Sequence, residues 1–121
     1  MEVAVRVVVY LQLPVLGPTM AELNGWAGPA ADEIRNLPIF NRTGAGTLDQ
    51  TVSRAELVEA ARLVPERWCR DAAAIGTAAD CVRHVQRYRD AGAHEVDLYG
   101  STPTQNAGLI EAWRNRPEAT R

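Results

Sequence analysis

The hydrophobic positions near the amino terminus fill both faces of an extended chain. Between Glu2 and Pro14 the sequence is rich in valine, and apolar residues occupy odd and even positions alike. Branched side chains suit a pleated surface, and apolar residues on both faces are typical of strands covered by helices on two sides. The segment is therefore predicted to be a buried strand of a parallel sheet.

Proline and capping signals predict helices in the next part of the chain. Pro18, Pro29 and Pro65 each suit a first helical position, where the missing N–H costs nothing. Ser53 and Glu56 have the Ser-x-x-Glu spacing of a capping box. Four helices follow from these signals, over residues 18–24, 29–37, 55–64 and 65–71. The two helices between residues 53 and 71 are interpreted as an insertion.

The last third of the chain alternates strand and helix signals. The short apolar run 72–75 either continues the preceding helix or forms a brief strand that ends at Ile75, and the strand is favoured. Thr77 caps a helix that ends at Gly92. Residues 94–99 alternate in polarity, which predicts a second strand. Thr102 and Gln105 form a further capping box before the last helix.

Two of these helices have clear apolar faces. The helix after Thr77 has apolar residues at the spacing of a single helical face, and the last helix is predicted to turn three residues inward. The first face consists of Ala78, Cys81, Val82, Val85 and Tyr88, and the second of Leu109, Ile110 and Trp113. The first face is expected to pack on a sheet.

The order of these elements predicts an α/β fold with a parallel sheet and right-handed crossovers. About three β/α units and the inserted helical segment form a single domain over residues 1–121. Two glycines and several turn-forming residues predict a mobile loop over 41–50.

Composition excludes several classes of function. All 13 basic residues are arginines, and 15 acidic residues leave a net charge of -2, so no broad basic field exists to hold a nucleic acid. Arg6, Gln12 and Pro14 interrupt the most apolar stretch, which predicts neither a membrane span nor a signal peptide. Two cysteines without metal-ligand spacing indicate neither a disulfide framework nor a zinc site. A cytoplasmic protein without bound metal is expected.

The strongest candidate site lies at the turns that follow the last two predicted strands. Gly76 and Thr77 form one turn, and Gly100 and Ser101 form the other. Ligands of α/β proteins bind at the carboxyl ends of strands, and the N–H groups that begin a helix attract phosphate. The alternative is that the glycines only permit tight turns and that the threonines only cap helices.

Other polar residues have weaker patterns. Asp97 and Tyr99 share one face of the last predicted strand, where they would either orient a substrate or join an ion pair with an arginine. His84 and His94 have no partner at the spacing of a catalytic triad, so no catalytic residue is assigned. Cys81 is expected to be a small buried apolar residue.

Residues 63–81 and 88–103 resemble the C-terminal end of bacterial luciferase-like oxidoreductases. The specific part is Ile75-Gly-Thr77, a helix, an Ala-Gly-Ala segment, a strand and then Gly100-Ser-Thr-Pro103. The sequence looks most like the actinobacterial subgroup assigned to the deazaflavin coenzyme F420. The Val-rich opening and the Asn24-Gly25-Trp26 turn also resemble that subgroup.

This resemblance implies a (β/α)8 TIM barrel that binds F420 or flavin mononucleotide (FMN) at its mouth. Such an enzyme transfers a hydride to or from a small-molecule substrate, or acts as a monooxygenase. By the resemblance, Gly76, Thr77, Gly100 and Ser101 line the cofactor site. A complete barrel needs about 250 residues, so this chain corresponds only to the C-terminal portion of one.

Three functions follow for such a portion. It is a C-terminal fragment of the oxidoreductase that is catalytically incomplete alone, or a subunit that needs the missing N-terminal barrel half or a second copy of itself. The third possibility is a small non-catalytic α/β module that binds an anion or a protein partner.

Overall fold

The computed structural model describes residues 1–41 and 48–116, apart from the side chain of Asp49. These residues form helices, turns and irregular segments, and no strand is found in either range. The helices are α1 (Glu2–Leu11), α2 (Leu16–Leu23), α3 (Pro29–Arg35), a 3₁₀ turn (Pro38–Phe40), α4 (Leu48–Thr51), α5 (Arg54–Ala61), α6 (Glu66–Ala72), α7 (Ala78–Asp90) and α8 (Ala107–Arg114). They fall into two compact units, one over Met1–Ala73 and one that begins at Ala74.

The first unit is built around α1, which contacts α2, α3, α5 and α6. The residues that α1 buries lie at the spacing of one helical face: Ala4, Val5, Val7, Val8 and Leu11. Val8 and Leu11 are completely buried, as is Ile34 of α3. Burying a side chain of this size contributes about 1.5–3 kcal/mol, so α1 is the central element of this core.

The strand predicted between Glu2 and Pro14 is wrong, because this segment forms α1. Apolar residues at both parities fit a strand buried on two faces, but they also fill a helical face at i, i+3, i+4 and i+7. The helical cost of a valine is only a few tenths of a kcal/mol. Packing of this face against four helices outweighs that cost.

Two stacked tryptophans belong to the core of the first unit. The rings of Trp26 and Trp68 lie 5.2 Å apart at an angle of 16°. Trp26 Nε1 donates a 3.0 Å hydrogen bond to Asp71 Oδ2, whereas Trp68 Nε1 is buried without a hydrogen-bond partner. Arg67 donates to the carbonyl of Gly25 and lies 3.9 Å from the Asp71 carboxylate. These contacts join the turn after α2 to α6.

The corner between α1 and α2 depends on close contact between backbones. A Cβ atom added to Gly17 would lie 2.3 Å from the carbonyl oxygen of Leu11. Only a residue without a side chain therefore fits at this point of α2.

The helical signals of the middle segment are confirmed. Pro29 begins α3 and Pro65 precedes α6. Ser53 accepts a hydrogen bond from the backbone of Glu56, whose carboxylate accepts one from the backbone of Ser53. Most of the loop predicted over 41–50 lies outside the described residues, and its end belongs to α4.

The second unit contains α7 and α8, which pack against each other. Thr77 caps α7 as predicted, and Gly92 ends it with a positive φ of 99°. Ala93 N–H donates to the carbonyl of Tyr88 and Gly92 N–H to that of Arg89, the pattern of a Schellman motif. Thr102 and Gln105 exchange the hydrogen bonds of the predicted capping box, although α8 itself begins at Ala107.

Both strands predicted in this part are wrong. Ala72 ends α6, residues 73–75 are irregular, and residues 94–99 are irregular as well. The α/β fold, the parallel sheet and the C-terminal portion of a TIM barrel are therefore wrong, because the described residues contain helices without a strand. Of residues 94–99, only Val96 is half-buried, whereas Leu98 is exposed like Glu95 and Asp97.

In the described part of the chain, no single helix has the length and apolar composition needed to cross a bilayer. Helices α1 and α2 meet these criteria only when taken together, and they are bent by 117° relative to each other.

Candidate binding site

An open cleft of about 420 Å³ lies in the second unit, between α7, α8 and the extended segment 94–98. Its apolar lining comes from all three elements: Val85, Val96, Leu98, Leu109, Ile110 and Trp113. Small-molecule sites in proteins typically have volumes of about 300–1,000 Å³ and mostly apolar walls. The cleft has the size and the lining of such a site.

The charged residues that line the cleft are all arginines. Arg89, Arg114 and Arg116 contribute to the lining together with His94, and no carboxylate of the described residues does. The whole chain has a net charge of -2, so this grouping runs against the average composition. An anion with an apolar body is the ligand that these walls complement.

The three arginines of the cleft make no ion pair with a carboxylate of the described residues, unlike five arginines elsewhere: Arg54, Arg62, Arg67, Arg70 and Arg83. Arg89 Nη1 donates to the carbonyls of Ala93 and His94, which ties the segment after α7 to the end of that helix. Arg116 lies over the ring of Trp113, with its Cζ atom 3.5 Å from the ring centroid. Their positive charge is therefore not neutralised within the described fold.

At the predicted site of Gly76 and Thr77, a side chain of the same helix already binds the polar groups of the turn. Thr77 N–H and the Thr77 hydroxyl both donate to Asp80 Oδ2, at 2.9 Å and 2.6 Å. A Cβ atom on Gly76 would lie 2.8 Å from the same oxygen. The carboxylate of Asp80 thus occupies the two Thr77 donors, and an anion that binds at this turn would have to compete with it for them.

The second predicted turn supports only a capping role. Gly100 has a positive φ of 81°, and Ser101 is exposed. The neighbouring Thr102 hydroxyl accepts a hydrogen bond from the backbone of Gln105. Gly100 and Ser101 do not line the cleft, so the expectation of a cofactor site at these turns stays a prediction without support from their contacts.

No family model, curated protein or solved structure matches this chain significantly. The resemblance of residues 63–81 and 88–103 to luciferase-like oxidoreductases therefore stays a prediction. The site has to be judged from its own geometry.

The remaining polar candidates lie at the surface. Asp97 is exposed, and Tyr99 retains 79% of its accessible surface. His84 Nδ1 lies 2.7 Å from Arg87 Nη2, so the imidazole serves as a hydrogen-bond partner of a neighbouring arginine. No three histidine, cysteine or acidic side chains in the described ranges are grouped to hold a metal ion.

The two cysteines are both partly buried. Burial is the main reason that the pKa of the Cys69 thiol is raised, which keeps it protonated. Cys81 Sγ lies 3.4 Å from the carbonyl oxygen of Ala74.

We expect the free energy of unfolding to fall as the pH is lowered past the ordinary pKa of histidine. Partial burial, and then the charge of Arg87, lower the pKa of His84 below 6.5 in the folded chain, so the unfolded chain binds the proton more readily. The free energy of unfolding begins to fall as the pH decreases through 6.5, and His84 causes no such loss well above that pH. Urea unfolding followed by circular dichroism at several pH values measures this slope.

Two variants test the assignment of that slope. His84→Gln should remove this contribution, and Arg87→Gln should reduce it because one cause of the lowered pKa is gone. An unchanged slope in His84→Gln would assign the pH dependence to other groups.

The cleft was not predicted from the sequence. Leu109, Ile110 and Trp113 were predicted to point inward from the last helix, and all three line the cleft. The available signal was the group of arginines near the end of α7 and the end of α8, next to apolar faces. Only the approach of α7, α8 and segment 94–98 shows that these arginines surround one cleft.

Proposed function

We propose that the second unit is a binding module for a small amphipathic anion, a ligand with an apolar body and at least one carboxylate or phosphate group. One observation carries the proposal: three arginines and a histidine lie around six apolar side chains, and no carboxylate of residues 1–41 or 48–116 joins the lining. This function corresponds to the non-catalytic anion-binding module considered from the sequence, with a helical fold in place of an α/β fold.

Two contributions would favour binding of such a ligand in the cleft. Apolar surface of the ligand is removed from water against half-buried side chains of α7, α8 and segment 94–98, at about 25 cal/mol per Å². The anionic group gains charge-assisted hydrogen bonds from guanidinium groups that do not first have to leave a carboxylate. Selectivity for an anion over a neutral analogue is the property that such a site requires.

We expect 2-naphthoate and decanoate each to bind the full-length chain more tightly than the neutral amide of the same acid. Arg114→Gln should lower the affinity for both anions about tenfold, or about 1.4 kcal/mol, because one charge-assisted contact is lost. The affinity for the amides should change little. Titrations monitored by ¹H–¹⁵N correlation spectra give the dissociation constants and show which residues respond.

A matched control separates the cleft from the overall charge. Arg87→Gln removes one positive charge from the same unit, but Arg87 lies on the outer face of α7 beside His84. Its affinity for the anions should stay within about twofold of that of the unmodified chain. If neither acid binds more tightly than its amide, the proposed function is wrong.

A component of an F420- or FMN-dependent oxidoreductase is the second candidate, together with a small-molecule substrate and a second copy of the chain as partner. Its support is the resemblance at residues 63–81 and 88–103, and it does not include the barrel. No cofactor contact or catalytic step is derived, because Asp80 occupies the two Thr77 donors at the turn that the resemblance places at the cofactor site. Titration of oxidised FMN and F420 without any spectral change would remove this candidate and leave the first one standing.

A further inference from the structure

One wall of the cleft is formed by an indole ring and by a guanidinium group that lies over it. Trp113 belongs to α8, and the Arg116 Cζ atom lies 3.5 Å from the centroid of its ring. Arg116 Nη1 also donates to the carbonyl of Trp113, so two contacts hold the guanidinium group against the ring. The guanidinium group of Arg116 is therefore held at the cleft, although the residue as a whole is exposed.

Arg114, which follows Trp113 in the sequence, supplies a second cation to the cleft. Arg114 lies at the end of α8, lines the cleft and is exposed. No ion pair joins it to a carboxylate in the described part of the chain, whereas Arg83 on α7 is paired with Asp80. The planar fork of a guanidinium group matches both oxygens of a carboxylate, which a single ammonium group does not.

We infer that the cleft selects planar aromatic carboxylates over aliphatic carboxylates of similar size. This inference rests on the proposed function and names the ligand class of the same cleft. The aromatic ring stacks against the Trp113–Arg116 wall, and the carboxylate binds Arg114. A planar ring gains stacking contacts with the indole and the guanidinium group, and it loses less conformational freedom than an alkyl chain on binding.

The experiment compares two acids of similar carbon number on the full-length chain, 2-naphthoate and decanoate. We expect 2-naphthoate to bind about tenfold more tightly, the sum of its stacking contacts and its rigidity. The indole N–H signal of Trp113 should move on addition of 2-naphthoate. The signals of Trp26 and Trp68, which are buried in the first unit, should stay in place.

Variants of the wall test the contact itself. Trp113→Leu should lower the affinity for 2-naphthoate about tenfold and leave that for decanoate within about twofold, because only the aromatic ligand stacks on the indole. Trp113→Phe keeps a ring and should retain part of the selectivity. The correlation spectrum of each variant shows whether α7 and α8 remain folded, and the Phe variant decides the question if the Leu variant does not fold.

The outcomes separate this inference from the proposed function. If both acids bind equally, and both lose affinity in Arg114→Gln, aromatic selectivity is wrong and the anion-binding function stands. If 2-naphthoate binds without moving the Trp113 signal, the stacked wall is not its contact and the inference is wrong. If neither acid binds better than its amide, both proposals fail together.

Discussion

Replacing Gly17 with alanine is expected to lower the free energy of unfolding of the first unit by about 2–3 kcal/mol. The added Cβ atom would lie 2.3 Å from the Leu11 carbonyl oxygen and 2.8 Å from the Leu11 carbonyl carbon. Both are backbone atoms, so no side-chain rotation relieves the overlap. The corner between α1 and α2 would have to open, which disturbs the completely buried side chain of Leu11.

Gly108 provides the matched control for this substitution. It lies inside α8, and a Cβ atom there would meet no atom within 4 Å. Gly108→Ala should therefore leave stability unchanged or raise it by about 0.5–1 kcal/mol, the usual gain in a helix. Urea unfolding followed by tryptophan fluorescence measures both variants. Equal effects of the two substitutions would show that the close contact at Gly17 does not limit the fold.

Replacing Trp68 with alanine is expected to cost about 3–5 kcal/mol, the largest effect of any single substitution proposed for this chain. Trp68 is 2% exposed, and its ring is stacked on that of Trp26. Its removal leaves a cavity beside the core and takes away one face of the stack. Thermal and urea unfolding of the full chain should both show the loss.

The two tryptophans should respond differently to phenylalanine, which keeps an aromatic ring but lacks the N–H group. Trp26→Phe loses the 3.0 Å hydrogen bond to Asp71, whereas Trp68→Phe loses an N–H group that has no partner. Trp26→Phe should therefore be less stable than Trp68→Phe by about 1–2 kcal/mol. The opposite order would contradict the hydrogen-bond assignment at Asp71.

The sequence predicted local helical signals well and long-range pairing poorly. The capping pairs Ser53–Glu56 and Thr102–Gln105 depend on residues three apart, and both form as their spacing indicates. The strand at 94–99 was wrong for a physical reason. Its alternation places Val96 and Leu98 against the cleft, but no neighbouring strand accepts or donates its backbone hydrogen bonds in the described chain.

Helix α1 shows more clearly that a local sequence pattern does not decide between strand and helix. Valine-rich sequence favours a strand only weakly, and the apolar positions of α1 fit both a two-sided strand and a helical face. The elements that cover Val8 and Leu11 are separated from them in sequence, so no local pattern decides between the two structures. The candidate cleft was missed for the same reason, because its arginines come together only when α7 and α8 pack.

The carboxylate of Asp80 competes with any anion in solution for the Thr77 donors. It is attached three residues from the Thr77 donors, so its effective concentration at the α7 turn is far above that of a free solute, in the millimolar range or higher. An inorganic phosphate or a nucleotide would have to compete with this tethered group at every encounter. The Thr77 N–H and hydroxyl groups are therefore largely withheld from external anions by a group of the same chain.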